Sequence, residues 1–231
     1  MRTPGSSRDT TWPLIREAGV ELLYDHGYEN MNTRQLAHKV GMKPGSLYYY
    51  FDSKEAFLHR VVMELLQDIV DDLDAQLEGV QSPATRLKLY IETLVKWHVD
   101  NHKESFIARM EVRSFSPEKF ETYMDLRDRF DSALDDILVA GYEEGMFVRD
   151  PEHLIRISVL TMITGITVWF RPDGSSGRKE LTAFYTDIVQ RMVSSRDLRS
   201  GPVRDSDNLC TRPDPEGPLS QARRPSGTRK R

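Results

Sequence analysis

An all-α fold is predicted by three features of the 231-residue chain. Apolar residues recur at helical spacing nearly everywhere. No window alternates apolar and polar residues between hairpin signals. Proline, glycine and capping residues punctuate the chain at intervals suited to short and medium helices. With 39% hydrophobic and 29% charged residues, the composition is that of a globular protein with chain enough for a large core.

The elements follow in order. A first helix is expected from about Thr11 to His26, with Pro13 in its first turn and Leu14, Ala18, Leu22 and Leu23 inward. Gly27 stops it. Asn32-Thr33-Arg34-Gln35 reads as a capping box, opening a short helix that closes at Gly41. A second short helix starts near Pro44 and runs to about Tyr50. Asp52-Ser53-Lys54-Glu55 reads as another capping box, at the head of a long helix to about Leu77. Ser82-Pro83 starts a helix reaching about His102, and a shorter one covers Phe106 to Ser114. Ser116-Pro117 starts a helix to about Gly141, Asp150-Pro151 one ending before Pro172, and a last helix spans about Arg178 to Ser195. Residues 197–231 hold five of the twelve prolines and almost no large apolar side chains, so that tail is expected to be disordered. The expected organisation is a flexible arm (1–10), a helix-turn-helix domain (11–54), a helical bundle (55–196) and the tail.

Charge divides along the same lines. The total is −4, which taken alone argues against nucleic acid, yet residues 61–196 carry 16 basic and 24 acidic side chains. Between Asn32 and Lys54 the balance is Arg34, Lys39, Lys43 and Lys54 against Asp52 alone. Glu17, Glu21 and Asp25 fall four apart, forming one helical stripe that can face away from this basic segment.

Two short helices about a glycine turn, with cations at the turn and the next cap, form the helix-turn-helix pattern. The second helix can enter a major groove only if its leading residues are small or hydrogen-bonding. Lys43-Pro44-Gly45-Ser46 meets that condition. Lys43 can reach a phosphate or a guanine edge, Tyr48 and Tyr49 offer hydroxyls, and Lys54 meets backbone phosphate. Spacing alone leaves a second reading open, a helical small-molecule or metal-binding protein or an enzyme with a vestigial helix-turn-helix.

Ala18-Gly19, Gly27-Tyr28, Leu36-Ala37, Val40-Gly41 and the run Gly45-Ser46-Leu47-Tyr48-Tyr49-Tyr50-Phe51-Asp52-Ser53-Lys54-Glu55 resemble the DNA-binding domain of the TetR family of transcriptional regulators. The resemblance implies an all-helical homodimer, with three N-terminal helices on double-stranded operator DNA and a C-terminal bundle that takes a small effector. Carried over by position, Thr33, Arg34, Lys43, Ser46, Tyr48, Tyr49 and Lys54 are the expected DNA contacts, flanked by Pro44 and Gly45. Thr33 stands where the family often has an apolar residue, and Lys43 where Ser or Thr is common.

Farther on, Glu111-x-Arg113, Arg127-Asp128, Gly141-x-x-x-Gly145-Met146-Phe147 and Trp169-Phe170-Arg171-Pro172-Asp173-Gly174 resemble the TetR branch that answers to acyl-CoA thioesters. That resemblance implies derepression by the thioester. An acyl-CoA needs an apolar cleft and cations for its phosphates. Phe106, Met110, Phe130, Met162, Ile166 and Trp169 are candidates for the cleft, and Arg109, Arg113, Arg127 and Arg171 for the cations. Ordinary packing is the alternative for each apolar position.

No catalytic constellation is visible, Cys210 falls in the tail, and no cofactor other than an effector is expected. His98 and His102, four apart on one expected helix, would need Glu92 or Glu104 to make a metal site; the third ligand has no fixed spacing, so no metal is assigned. Leu154, Ile157, Leu160 and Ile163, with Leu181, Tyr185, Ile188 and Met192, are candidates for a dimer-forming bundle. The first ten residues lack a secretory core, and the apolar stretch at 157–170 is too short to span a bilayer. A cytoplasmic protein without a membrane partner is expected.

Overall fold

The structure is a computed structural model that describes residues 8–150 and 153–194. The expected tail with Cys210, most of the expected arm, and Pro151 lie outside the described residues.

Three helices make the N-terminal unit. Helix α1 (Arg8–Asn30) buries Ile15, Ala18, Leu22 and Leu23, whereas Leu14, expected inside, points outward. The inward register runs through Trp12, Ile15, Ala18 and Leu22, spaced three, three and four residues apart, and passes Leu14 by. Gly27 has φ 74° and ψ 167°, so the regular helix ends there as its sequence predicts, and residues 28–30 add a separate turn. Helix α2 (Thr33–Lys39) opens with the expected capping box: Asn32 Oδ1 accepts from Arg34 N and Gln35 N, and Gln35 Oε1 accepts from Asn32 N. Gly41, at φ 67°, turns the chain into α3 (Pro44–Leu47). Leu36, Ala37 and Leu47 are fully buried between them.

Helix α4 (Lys54–Leu77) leads away on an unbroken apolar stripe from Phe57 to Leu77. Its cap corrects the second expected box. Ser53, not Asp52, caps it by accepting from Ala56 N at 3.0 Å, which frees the Glu55 carboxylate for another segment. A Cβ at Gly19 would fall 2.1 Å from Phe57 Cζ, so the absence of a side chain lets α1 lie directly on α4.

The bundle is organised around α5 (Pro83–Asp100), which packs on α4 and on α6 (His102–Met110), α7 (Pro117–Glu143), α8 (Leu154–Thr164), α9 (Ile166–Trp169) and α10 (Arg178–Val193). Two expected continuities are broken. Asn101, at φ −117° and ψ 44°, ends α5, so His102 begins α6 instead of sharing a helix face with His98. Gly165 separates α8 from α9. Asp150 does act at the start of α8, its carboxylate accepting from Ile155 N and Arg156 N. A single turn of 3-10 helix (Val112–Ser114) joins α6 to α7. Among the described residues the only β contact is the isolated bridge between Phe147 and Ser194.

Candidate functional site

On the N-terminal unit, the α2–α3 turn stands clear of the core. Arg34, Lys43, Pro44, Gly45, Ser46, Tyr48 and Tyr49 are exposed, and Thr33 is half-buried. Tyr48 and Tyr49 keep 54% and 65% of their surface open, high for aromatic side chains beside a packed core. Leu47 below and Tyr50 and Phe51 behind are buried, which fixes the backbone that carries them. Exposed hydroxyls and a cation on a rigid short helix can read groove edges and hold phosphates.

The charge arrangement differs from expectation at two places. Glu21 does not face away; its carboxylate meets Lys39 Nζ at 2.7 Å. That hydrogen bond lowers the Glu21 pKa and raises that of Lys39. Lys54 Nζ donates to the carbonyls of Tyr28 and Glu29 at 2.8 and 3.3 Å and sits 4.2 Å from the Tyr28 ring centre. It thereby caps the turn after Gly27, where carbonyls are left without helical partners. Arg34 and Lys43 carry the positive charge that projects outward from α2 and the turn.

Within the bundle, a cavity of about 150 Å³ opens among α4, α5, α6, α7 and α8. Leu65, Leu66 and Ile69 of α4 form one wall; Ser105, Arg109, Tyr123, Arg127 and Phe130 contribute from α6 and α7. Arg109 donates to Thr164 Oγ1 at 3.1 Å, and Arg127 pairs with Asp131 at 2.9 Å. His98 is buried, with its Nδ1 2.8 Å from the Leu94 carbonyl, so that nitrogen carries the proton. Burial lowers its pKa to about 4, with Arg127 and Arg109 adding repulsion, so the ring is neutral and Nε2 keeps its lone pair. Ser105 of α6 is also buried at the cavity, and its hydroxyl has no hydrogen-bond partner among the described residues.

Cavity and DNA face are connected by polar contacts. Arg16 of α1 bridges Glu64 of α4 at 3.5 Å and Glu104 of α6 at 3.1 Å. Tyr24 of α1 packs edge-on against His102 and Phe106 of α6. Glu55, released from capping, accepts from Ser116 N at 2.7 Å and meets Lys119 at 3.1 Å, and the backbone donor lowers its pKa. Both ends of the α4–bundle junction are thus fastened.

Residues 15–61 match bacterial regulatory proteins of the tetR family, and residues 80–193 match the tetracyclin repressor-like C-terminal domain. PfmR of Thermus thermophilus, a TetR family transcriptional regulator, is 30% identical with a TM-score of 0.71, the match covering 77% of this chain and 97% of that one. The chain belongs to the TetR family of transcriptional regulators. The transcriptional repressor KstR2 of Rhodococcus jostii is 27% identical over 198 residues, 81% of this chain and 95% of that one. AibR, solved with isovaleryl coenzyme A and operator DNA, is 18% identical and shares the fold, with a TM-score of 0.71 over 77% of this chain and 97% of that one.

As a TetR regulator the protein is a DNA-binding transcription factor, not an enzyme. Of the effector candidates, the structure brings Arg109, Arg127 and Phe130 together around the cavity. The other seven do not line it. Phe106 turns to Tyr24, and Ile166 is fully buried in the core. Met162 packs against the core half-buried. Met110, Arg113, Trp169 and Arg171 are exposed because the α6 end, the 3-10 turn and the α9 end all lie at the surface. Sequence reasoning misses the α4 wall, Ser105, Tyr123 and Thr164, and has His98 only as half of a histidine pair. The stripe on α4 is visible in the spacing, where it reads as core. Among the described residues no three His, Cys, Asp or Glu side chains are placed to hold a metal. None of the described helices is long and apolar enough to cross a membrane.

The dimer candidates divide. Leu160, Ile163, Leu181 and Tyr185 are buried within the chain, and Ile188 and Met192 are half-buried. Leu154 and Ile157 of α8 and Phe184 of α10 are exposed, each by more than half, as are Val168 and Trp169 of α9.

Proposed function

We propose that the protein is a cytoplasmic, homodimeric repressor that binds a palindromic operator and is released when an acyl-CoA thioester enters the α4–α7 cavity. The cavity carries this reading: an apolar wall of α4 faces two arginines, the combination an acyl chain and its phosphorylated carrier require. The AibR structure, with isovaleryl coenzyme A bound, supports the ligand class.

Lys43, Ser46, Tyr48 and Tyr49 contact the major groove, with Thr33 and Arg34 on flanking phosphates and Pro44 and Gly45 allowing close approach. Lys54 holds the turn after α1 and touches phosphate only with whatever donor capacity its two carbonyl bonds leave. The exposed apolar side chains of α8 and α10 form the dimer contact, setting two recognition helices about 34 Å apart. Ligand pushing on Leu65, Leu66 and Ile69 tilts α4, and Arg16 and Glu55 pass the tilt to the DNA-binding unit.

The test is operator release. Purified protein selects its operator from fragmented genomic DNA, and a panel of acyl-CoA thioesters is added to the complex. Release and a raised melting temperature are expected from at least one; a panel that produces neither overturns the effector assignment and leaves the regulator standing.

A further inference from the structure

The recognition turn departs from α1 at Gly27, and two other helices meet the chain just beyond that point. Helical geometry is lost at Gly27, and residues 28–30 form the separate turn that leads to α2. Tyr28 is held there at both of its backbone polar groups. Its N–H donates to Glu111 Oε1 at 3.2 Å, and its carbonyl accepts from Lys54 Nζ at 2.8 Å. Lys54 opens α4, whereas Glu111 is the residue that ends α6. A charged partner makes each of these bonds stronger than one between neutral groups. Met31, fully buried, and Asn32, the cap of α2, follow within four residues. A displacement of Tyr28 is therefore passed directly to the start of the helix-turn-helix.

Other contacts between α1 and α6 lie on the body of α1. Arg16 meets Glu104 at 3.1 Å, and Tyr24 packs on His102 and Phe106. These reach the recognition turn only through Gly27, the residue with the least conformational restraint. The Glu111 bond bypasses it. The same helix lines the cavity with Ser105, Ala108 and Arg109. Glu111 is tied to that stretch of α6, its N–H donating to the Ile107 carbonyl at 2.9 Å. A group that presses on Ala108 and Arg109 shifts the last turn of α6, and the Glu111 carboxylate travels with it.

Resting on the effector reading of the cavity, we propose that Glu111 is a positioning residue that couples the cavity to the operator, its carboxylate carrying movement of the α6 end to Tyr28 and so to α2 and α3. This route is separate from the tilt of α4 through Arg16 and Glu55. Lys54 supplies the opposing hold, because it grips the carbonyl of the same residue from the start of α4. Movement of α6 relative to α4 is thus felt at one residue. Coupling between two sites is reciprocal, so operator binding alters the end of α6 in turn.

The experiment compares the natural protein with Glu111→Ala, which removes the acceptor, and Glu111→Gln, which keeps an oxygen in its place. The melting-temperature shift given by the acyl-CoA panel reports occupancy of the cavity. The ratio of operator Kd with saturating thioester to operator Kd without it reports coupling. Glu111→Ala is expected to keep the shift while the ratio falls about fivefold, and Glu111→Gln to restore most of it. An unchanged ratio in Glu111→Ala overturns the proposal, as does a Glu111→Gln protein no better coupled than the alanine variant. A second arm needs no effector: hydrogen exchange over residues 102–114, with and without operator. Operator is expected to change exchange there in the natural and Glu111→Gln proteins and not in Glu111→Ala. No change in the natural protein overturns the proposal, whatever the thioesters do. If no thioester shifts the melting temperature or releases the operator while exchange follows the expected pattern, the acyl-CoA reading falls and the coupling role of Glu111 stands.

Discussion

The α2–α3 turn is built on two short helices and the bundle cavity mostly on long ones, and they treat their polar groups in opposite ways. Lys43, Ser46, Tyr48 and Tyr49 stand exposed on a backbone fixed from beneath by Leu36, Ala37 and Leu47. His98 and Ser105 are buried at the wall of the cavity, and the Ser105 hydroxyl has no hydrogen-bond partner among the described residues. In the first region each side chain can change at little expense to the fold, and binding is a sum of salt-dependent contacts. In the second, shape and hydrogen bonding are inseparable from stability, since an unpaired buried group costs free energy with or without a ligand. One region is adjustable residue by residue. The other is tuned only as a unit.

The largest test attacks the platform under the exposed region. Gly19→Ala places a methyl group 2.1 Å from the tip of the Phe57 ring, which is fully buried. A loss of about 3 kcal/mol of stability is expected, measured by denaturant unfolding, with operator binding falling alongside it. Full operator affinity in a stable Gly19→Ala protein would mean that the α1–α4 contact does not hold the recognition turn.

The buried region should announce itself through pH. His98 titrates near 6.5 in an unfolded chain and at about 4 when folded, so between these values the unfolded state binds more protons. Stability is therefore fully present above 6.5 and is lost as pH falls toward 4, by an amount on the order of 3 kcal/mol. The check is the difference in unfolding free energy between pH 7 and pH 4.5 for the natural protein and for His98→Gln. The variant should show a shallower acid decline, isolating this residue from the carboxylates. Parallel curves would place His98 in contact with water.

Next in size is the exposed side. Lys43→Ala is expected to weaken operator binding by about tenfold and to flatten the salt dependence by about one ion, with the melting temperature unchanged. Mobility shifts at several salt concentrations measure both. An unchanged slope would show that Lys43 reads a base edge without neutralising phosphate.

How much of each region is legible in the sequence follows from the same physics. The recognition turn can be read because its chemistry is local: Asn32, Gln35, Gly41 and Pro44 act on backbone within a few residues, and the structure places them accordingly. The cavity cannot, because its members come from five helices and become neighbours only through packing. Arg127 and Phe130 are within reach of sequence reasoning since they lie on the inward face of one long helix. His98 is not, because Asn101 carries no strong breaking signal, and a one-residue interruption there separates it from His102. Leu14 and Glu21 fail for a related reason: helical spacing gives the faces of a helix but not which neighbour each will meet.

Glu21 yields the smallest and most discriminating test. Its contact with Lys39 is exposed on both sides, so it contributes little to stability. It does hold a cation of α2 against α1, away from any duplex lying along the recognition turn. In Glu21→Gln the ammonium keeps its charge and loses its anchor. Operator binding should tighten by about twofold at low salt, and the advantage should vanish as salt screens the added charge. The melting temperature should not move. If affinity instead falls, the carboxylate orients Lys39 toward the DNA. The exposed region would then owe part of its specificity to a fixed pair.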